Sequence, residues 1–145
     1  MKKVLRFIPL ILAIAIIIGF TTQDTVENVN LSEKCRAITV KIAEKYDVET
    51  EGAWWNDPGN FRKVAHTIEY FFLGVTVCLA FRWFWLSLIL CGLASICDEI
   101  LKTYYPPRHF DITDLKFDAV GYVAGVILVY FFVCFIGDKV SRRKH

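Results

Sequence analysis

Charge is absent from three long stretches of this 145-residue chain: Phe7 to Thr22, Trp83 to Cys97 and Ala119 to Gly137. A fourth, Val64 to Phe81, is apolar but for His66 and Glu69. Polar surface is scarce as well. Hydrophobic residues make up 55% of the chain and the mean hydropathy is +0.42, which leaves too little polar surface to cover the core of a water-soluble domain. Crossing roughly 30 Å of hydrocarbon takes about 20 helical residues. The four stretches therefore predict an all-α, polytopic membrane protein in a single domain over residues 1–145, a bundle with spans at about 4–22, 62–81, 83–101 and 114–137.

Other absences narrow the reading. No A-x-A-like cleavage site follows Phe20, so the first apolar segment is expected to stay as an anchor rather than be removed as a signal peptide. The five cysteines, at 35, 78, 91, 97 and 134, form no CxxC pair and no metal-ligand spacing. Most of them fall in spans as small hydrophobes; Cys35 and Cys97 fall on one side of the bilayer, which leaves a disulfide between them open. Inverted repeats and broken apolar segments are missing, which weighs against a transporter. The expected partner is a lipid bilayer, with no nucleic acid, and no cofactor is assigned.

Basic residues set the orientation. Four spans put both termini on one side with Arg82 in the tight turn between the second and third, and this side gathers Lys2, Lys3, Arg6, Arg82, Lys139, Arg142, Arg143 and Lys144 against Asp138 alone. Short basic flanks stay inside, so the cell-membrane protein is expected to keep both termini cytoplasmic. Trp83 and Trp85 then fall at the inner interface, and Trp54, Trp55, Tyr104 and Tyr105 at the outer one.

Between the first two spans, Leu31, Cys35, Ile38, Ile42 and Tyr46 recur at helical spacing. They predict an amphipathic helix over about 31–46 on the outer surface, with Asn30 as N-cap and Glu33 three residues on. Such a helix needs only an apolar surface to lie on, and the simpler expectation is that it shields the bundle; the sharper one is that it lids a site.

The ionisable residues inside the spans carry the chemistry. Trp83 to Cys97 reaches only about 22 Å at about 1.5 Å per residue, so the third helix must run on through Asp98 and Glu99, drawing both carboxylates to the outer interface. Charges in that position should face the bundle rather than lipid. In the second span Arg62, Lys63, His66, Glu69 and Tyr70 share about a third of the helix circumference. In the fourth, Asp111, Asp114, Asp118, Gly121 and Gly125 share one face if the helix begins before Asp111, and the last four do so if it begins at Ile112. Gly121 and Gly125 form a G-x-x-x-G, which lets a partner helix come close. Three helices thus bring polar groups to one leaflet, beneath the loop Pro106-Pro107-Arg108-His109.

At these residues the chain resembles the VanZ-like family. The resemblance lies in Lys63, His66 and Tyr70; in Asp98-Glu99-Ile100-Leu101-Lys102-Thr103-Tyr104-Tyr105-Pro106-Pro107-Arg108; and in Asp114, Asp118, Gly121 and Gly125. Thr21-Thr22-Gln23-Asp24 with Ser32 is similar to the family's Ser-rich stretch after its first helix. Lys102 stands where the family usually has Gln, and Pro107 where it usually has Gly. The resemblance implies a four-helix membrane protein related to one linked with low-level resistance to the glycopeptide teicoplanin.

Two functions remain open. In the first, His66 exchanges a proton near neutral pH, one of Asp98, Glu99, Asp114 and Asp118 acts as acid or base, and Lys63, Tyr70, Lys102 and Arg108 bind an anionic cell-envelope precursor or lipid headgroup. In the second, the same residues only bind or hold helices together, without catalysis. The carboxylates and His66 also have the inventory of a divalent-cation site, but no H-x-x-E-H or similar signature accompanies them and no metal is assigned.

Overall fold

The computed structural model describes residues 7–22, 25–105 and 109–142, with the side chains of all of these but 25–29 and 133–142. Five α-helices follow one another: α1 (Ile8–Thr22), α2 (Thr25–Lys45), α3 (Pro58–Phe81), α4 (Phe84–Lys102) and α5 (Ile112–Arg142), with a 3-10 turn at Trp54–Asn56. No strand occurs among the described residues. Helices α3, α4 and α5 are each long and apolar enough to cross a membrane, and α1 is a shorter apolar helix. Large apolar side chains face outward on all four, among them Ile11, Phe72, Ile89 and Val120. In water such exposure would be costly, whereas acyl chains are a fitting solvent for it.

The helix ends follow local chemistry. The Asp57 carboxylate accepts the backbone N–H groups of Gly59 (2.9 Å) and Asn60 (3.2 Å), and Pro58 takes the first helical position, where its missing N–H costs nothing. Helix α3 thus starts four residues before Arg62. It ends on Arg82, which adopts a left-handed conformation (φ 56°) and returns its N–H to the Cys78 carbonyl at 2.8 Å, turning the chain directly into α4.

The principal packing is α3 against α5. A Cβ on Gly121 would collide with the Thr67 carbonyl, one on Gly125 with that of Phe71, and one on Gly74 with the backbone of Tyr122. All three glycines let the two backbones touch, which is what the G-x-x-x-G spacing implies. Leu73, Val77, Cys78, Val126 and Val129 fill the remaining apolar interior.

Helix α2 departs from expectation in two ways. It begins at Thr25, so Asn30 lies inside it rather than capping it; no Gly or Pro stands between Thr25 and Leu31 to stop the helix extending. The C-terminal part of its apolar stripe also faces away from the bundle, with Ile38 58%, Ile42 53% and Tyr46 72% exposed. There the inward contact is polar: Arg36 donates to the Asn56 carbonyl and to its side-chain oxygen, both at 3.0 Å, and Asn56 in turn donates to the Thr50 carbonyl. Cys35, Cys91 and Cys97 are free thiols.

The glycine contacts give a direct test. Gly121→Ala and Gly125→Ala should each lower the stability of the folded protein in detergent by about 1–3 kcal/mol, through forced separation of α3 and α5. Gly19→Ala in α1, where nothing lies within 4 Å, should cost nothing. Thermal unfolding of the three variants beside the parent checks this.

Candidate functional site

One end of the bundle is polar, formed where α1 and α4 end and α3 and α5 begin. Helix α4 builds its centre through a stripe of small and polar side chains, Ser87, Cys91, Ser95, Asp98 and Lys102, all buried. This stripe turns the last two turns of α4 toward the other helices. Asp98, Glu99, Lys102, Asp114 and Asp118 are all 6% exposed or less.

Lys102 is the one buried cation among the described residues, and its ammonium group is shared by three carboxylates. It pairs closely with Glu99, lies 3.4 Å from Asp98 Oδ2 and 3.8 Å from Asp114 Oδ2. Asp98 also accepts the Thr21 hydroxyl of α1, and the second Glu99 oxygen accepts the Asp111 N–H at 3.1 Å. Arg62, at the rim, reaches Asp114 at 3.7 Å. Behind these, Asp118 Oδ2 accepts the Ser95 hydroxyl at 2.7 Å, and His66 Nδ1 lies 3.9 Å from Asp118 Oδ1 and 3.7 Å from Glu69. The fully buried Tyr70 carries its hydroxyl into the same group, beside Ser95. Burying this many charges is expensive, and one ammonium group offsets only part of the cost for four carboxylates.

A cavity of about 150 Å³ opens onto the cluster. Arg62, His66, Glu69 and Lys102 form its polar wall and Phe20, Phe61 and Ala65 its apolar one. Leu31, Ser32 and Cys35 of α2 line it as well, so this helix covers the cavity in addition to shielding the bundle.

Of the residues singled out by sequence, His66 and Lys102 reach the cavity, while Asp98, Glu99, Asp114, Asp118 and Tyr70 stand behind them. Lys63 turns elsewhere, with its ammonium group 5.8 Å from the centre of the Phe117 ring, which stacks on Trp54. Arg108 and the two prolines before it lie outside the described residues. Thr21, Arg62, Glu69, Ser95 and Asp111 take part without having been assigned a role. Ser95 carried a signal: it is three, four and seven residues from Asp98, Glu99 and Lys102, on the same helical face. Asp111 is a cap rather than a member of the helical face, since α5 begins at Ile112 and Asp111 Oδ1 accepts the Thr113 N–H at 2.7 Å.

An all-helical fold with an apolar exterior and a buried ionisable cluster at one end of its apolar helices defines an integral membrane protein. The profile of the VanZ/LLP1 family matches residues 7–133, and the chain belongs to that family. No curated protein and no solved structure matches it.

Two outcomes test the geometry. Lys102→Met should destabilise the protein by about 3–5 kcal/mol, because it leaves buried carboxylates without their cation; unfolding in mixed micelles measures the loss. Outside the membrane, the Thr113 backbone N–H, then its side chain and the Lys63 and Arg62 charges, hold the Asp111 carboxyl below its ordinary value. The cap is therefore fully present above the ordinary carboxyl range and is lost as pH falls through the lowered value. Amide exchange at Thr113 should show more opening in acid, and Asp111→Asn should abolish that dependence.

Proposed function

We propose that this VanZ/LLP1 protein crosses the cell membrane four times as one domain, with both termini cytoplasmic, and that its cavity takes the headgroup of an anionic cell-envelope precursor or lipid from the outer leaflet. The observation that carries this reading is the composition of the cavity wall. Arg62, Lys102 and His66 supply donors for a phosphate or carboxylate, and Phe20, Leu31, Phe61 and Ala65 supply an apolar surface for what is attached to it. Glu69 and His66, 3.7 Å apart, form a pair able to pass a proton at the same wall. Asp98, Glu99, Asp114 and Asp118 fix Lys102 and His66 from behind and could themselves serve as acid or base. Membership of the family supports placing this site in resistance to glycopeptides of the teicoplanin type.

A second reading has its own support. Lys102 already has three carboxylate partners, as expected of a group that holds helices together without catalysis. Binding separates the two. In nanodiscs, a phosphate-headgroup polyprenyl lipid should bind in preference to a zwitterionic one, and Arg62→Ala and His66→Ala should each weaken it about tenfold or more while the protein stays folded. Equal retention of both lipids, or variants that bind as the parent does, would leave the structural reading in its place. Lipid and muropeptide profiles of cells with and without the protein would then show whether binding leads to a chemical change.

A further inference from the structure

The charge balance behind the cavity points to a ligand of a different kind. Asp98, Glu99 and Asp118 each offer a carboxylate oxygen, and the three oxygens lie within 4.8 Å of one another. Two oxygens on opposite sides of a calcium ion, at about 2.3–2.6 Å each, are about 5 Å apart, so this spread matches the first shell of one hard cation. A second observation comes from α3. Tyr70 is fully buried, its hydroxyl feels the charge of these same three carboxylates, and beside Ser95 it makes no hydrogen bond of good geometry among the described residues. Its neighbour Ser95 has already given its own hydrogen to Asp118. Asp98 Oδ2, 3.4 Å from the Lys102 ammonium group, and Asp118 Oδ1, 3.9 Å from His66 Nδ1, are likewise buried without a hydrogen bond. Three helices therefore bring buried oxygens that lack hydrogen bonds into one cluster, where Lys102 meets only part of the negative charge and a further positive charge would relieve the cost.

We propose that Asp98, Glu99 and Asp118 bind a hard divalent cation of the Ca²⁺, Mn²⁺ or Mg²⁺ class between α3, α4 and α5, with the Tyr70 hydroxyl facing it. Oxygen-only donors select that class over zinc or copper. Lys102 competes with the ion: its ammonium group draws on Asp98 and Glu99, two of the three ligands. The ion and the ammonium group thus share one set of negative charges, and removing the ammonium group strengthens the ion's hold. This site does not depend on what the neighbouring cavity binds.

The test uses the full chain, stripped with chelator in detergent micelles without any envelope lipid, and titrated with Mn²⁺ while the free-ion EPR signal and thermal unfolding are followed. The parent should bind Mn²⁺ saturably, in competition with Ca²⁺, and unfold at a higher temperature when loaded. Asp118→Asn should lose at least about tenfold in affinity, since even partners outside the first shell are worth about 10- to 100-fold. Lys102→Gln should bind several-fold more tightly than the parent and recover its lost thermal stability on adding Mn²⁺. Signal loss no greater than with empty micelles would overturn the proposal, as would Asp118→Asn binding like the parent. If Asp118→Asn fails to fold, Lys102→Gln decides: unchanged or weaker binding overturns the site.

Discussion

The ammonium group of Lys102, held among Asp98, Glu99 and Asp114, is the interaction on which the polar end of the bundle depends. In a bilayer an unpaired buried carboxylate is among the most costly groups a helix can carry, and here α4 and α5 supply four. One cation shared by three of them makes the arrangement tolerable and fixes the end of α4 against the start of α5. Thr21 from α1 and the Asp111 N–H then occupy further oxygens of the same carboxylates, so that three segments are joined through one group of charges. The offset is incomplete, and the oxygens left over are what make the cluster more than a set of helix contacts.

Packing brings those charges together. Gly121 and Gly125 let α5 lie with its backbone on that of α3, and the same face of α5 carries Asp118 and Asp114, about one and two turns before Gly121. Close approach lower in the bundle thus determines how near Asp118 comes to His66 and Ser95 above. Function and cohesion use one surface, with small residues supplying contact along the apolar part and ionisable residues occupying the end.

Much of this was legible in the sequence because helical periodicity in a chain so apolar leaves few places for a charge to go. The inward face of α5 follows from the spacing of Asp114, Asp118, Gly121 and Gly125, and the burial of Asp98 and Glu99 from the shortness of the uncharged run before them. The register of α2 was not legible. Its apolar stripe suggested a face laid on the bundle, and Leu31 and Cys35 do turn to the cavity, but in a membrane protein the apolar side of a peripheral helix can equally turn to lipid, as Ile38, Ile42 and Tyr46 do where Arg36 and Asn56 set the register through hydrogen bonds that periodicity does not encode. Thr21 was visible only through the family's pattern, because its partner Asp98 is far along the chain. Lys63 belonged to the polar face of α3 by angle, yet the Phe117 ring draws it aside.

The central claim is that these ionisable groups act as one coupled unit. A double-mutant cycle between Lys102→Met and Glu99→Gln, read by reversible unfolding in mixed micelles, tests it most directly. The account predicts that the double variant is far less destabilised than the two single losses added, with a coupling of about 1–3 kcal/mol. Additive losses would mean that Lys102 and Glu99 do not sustain one another and would contradict it.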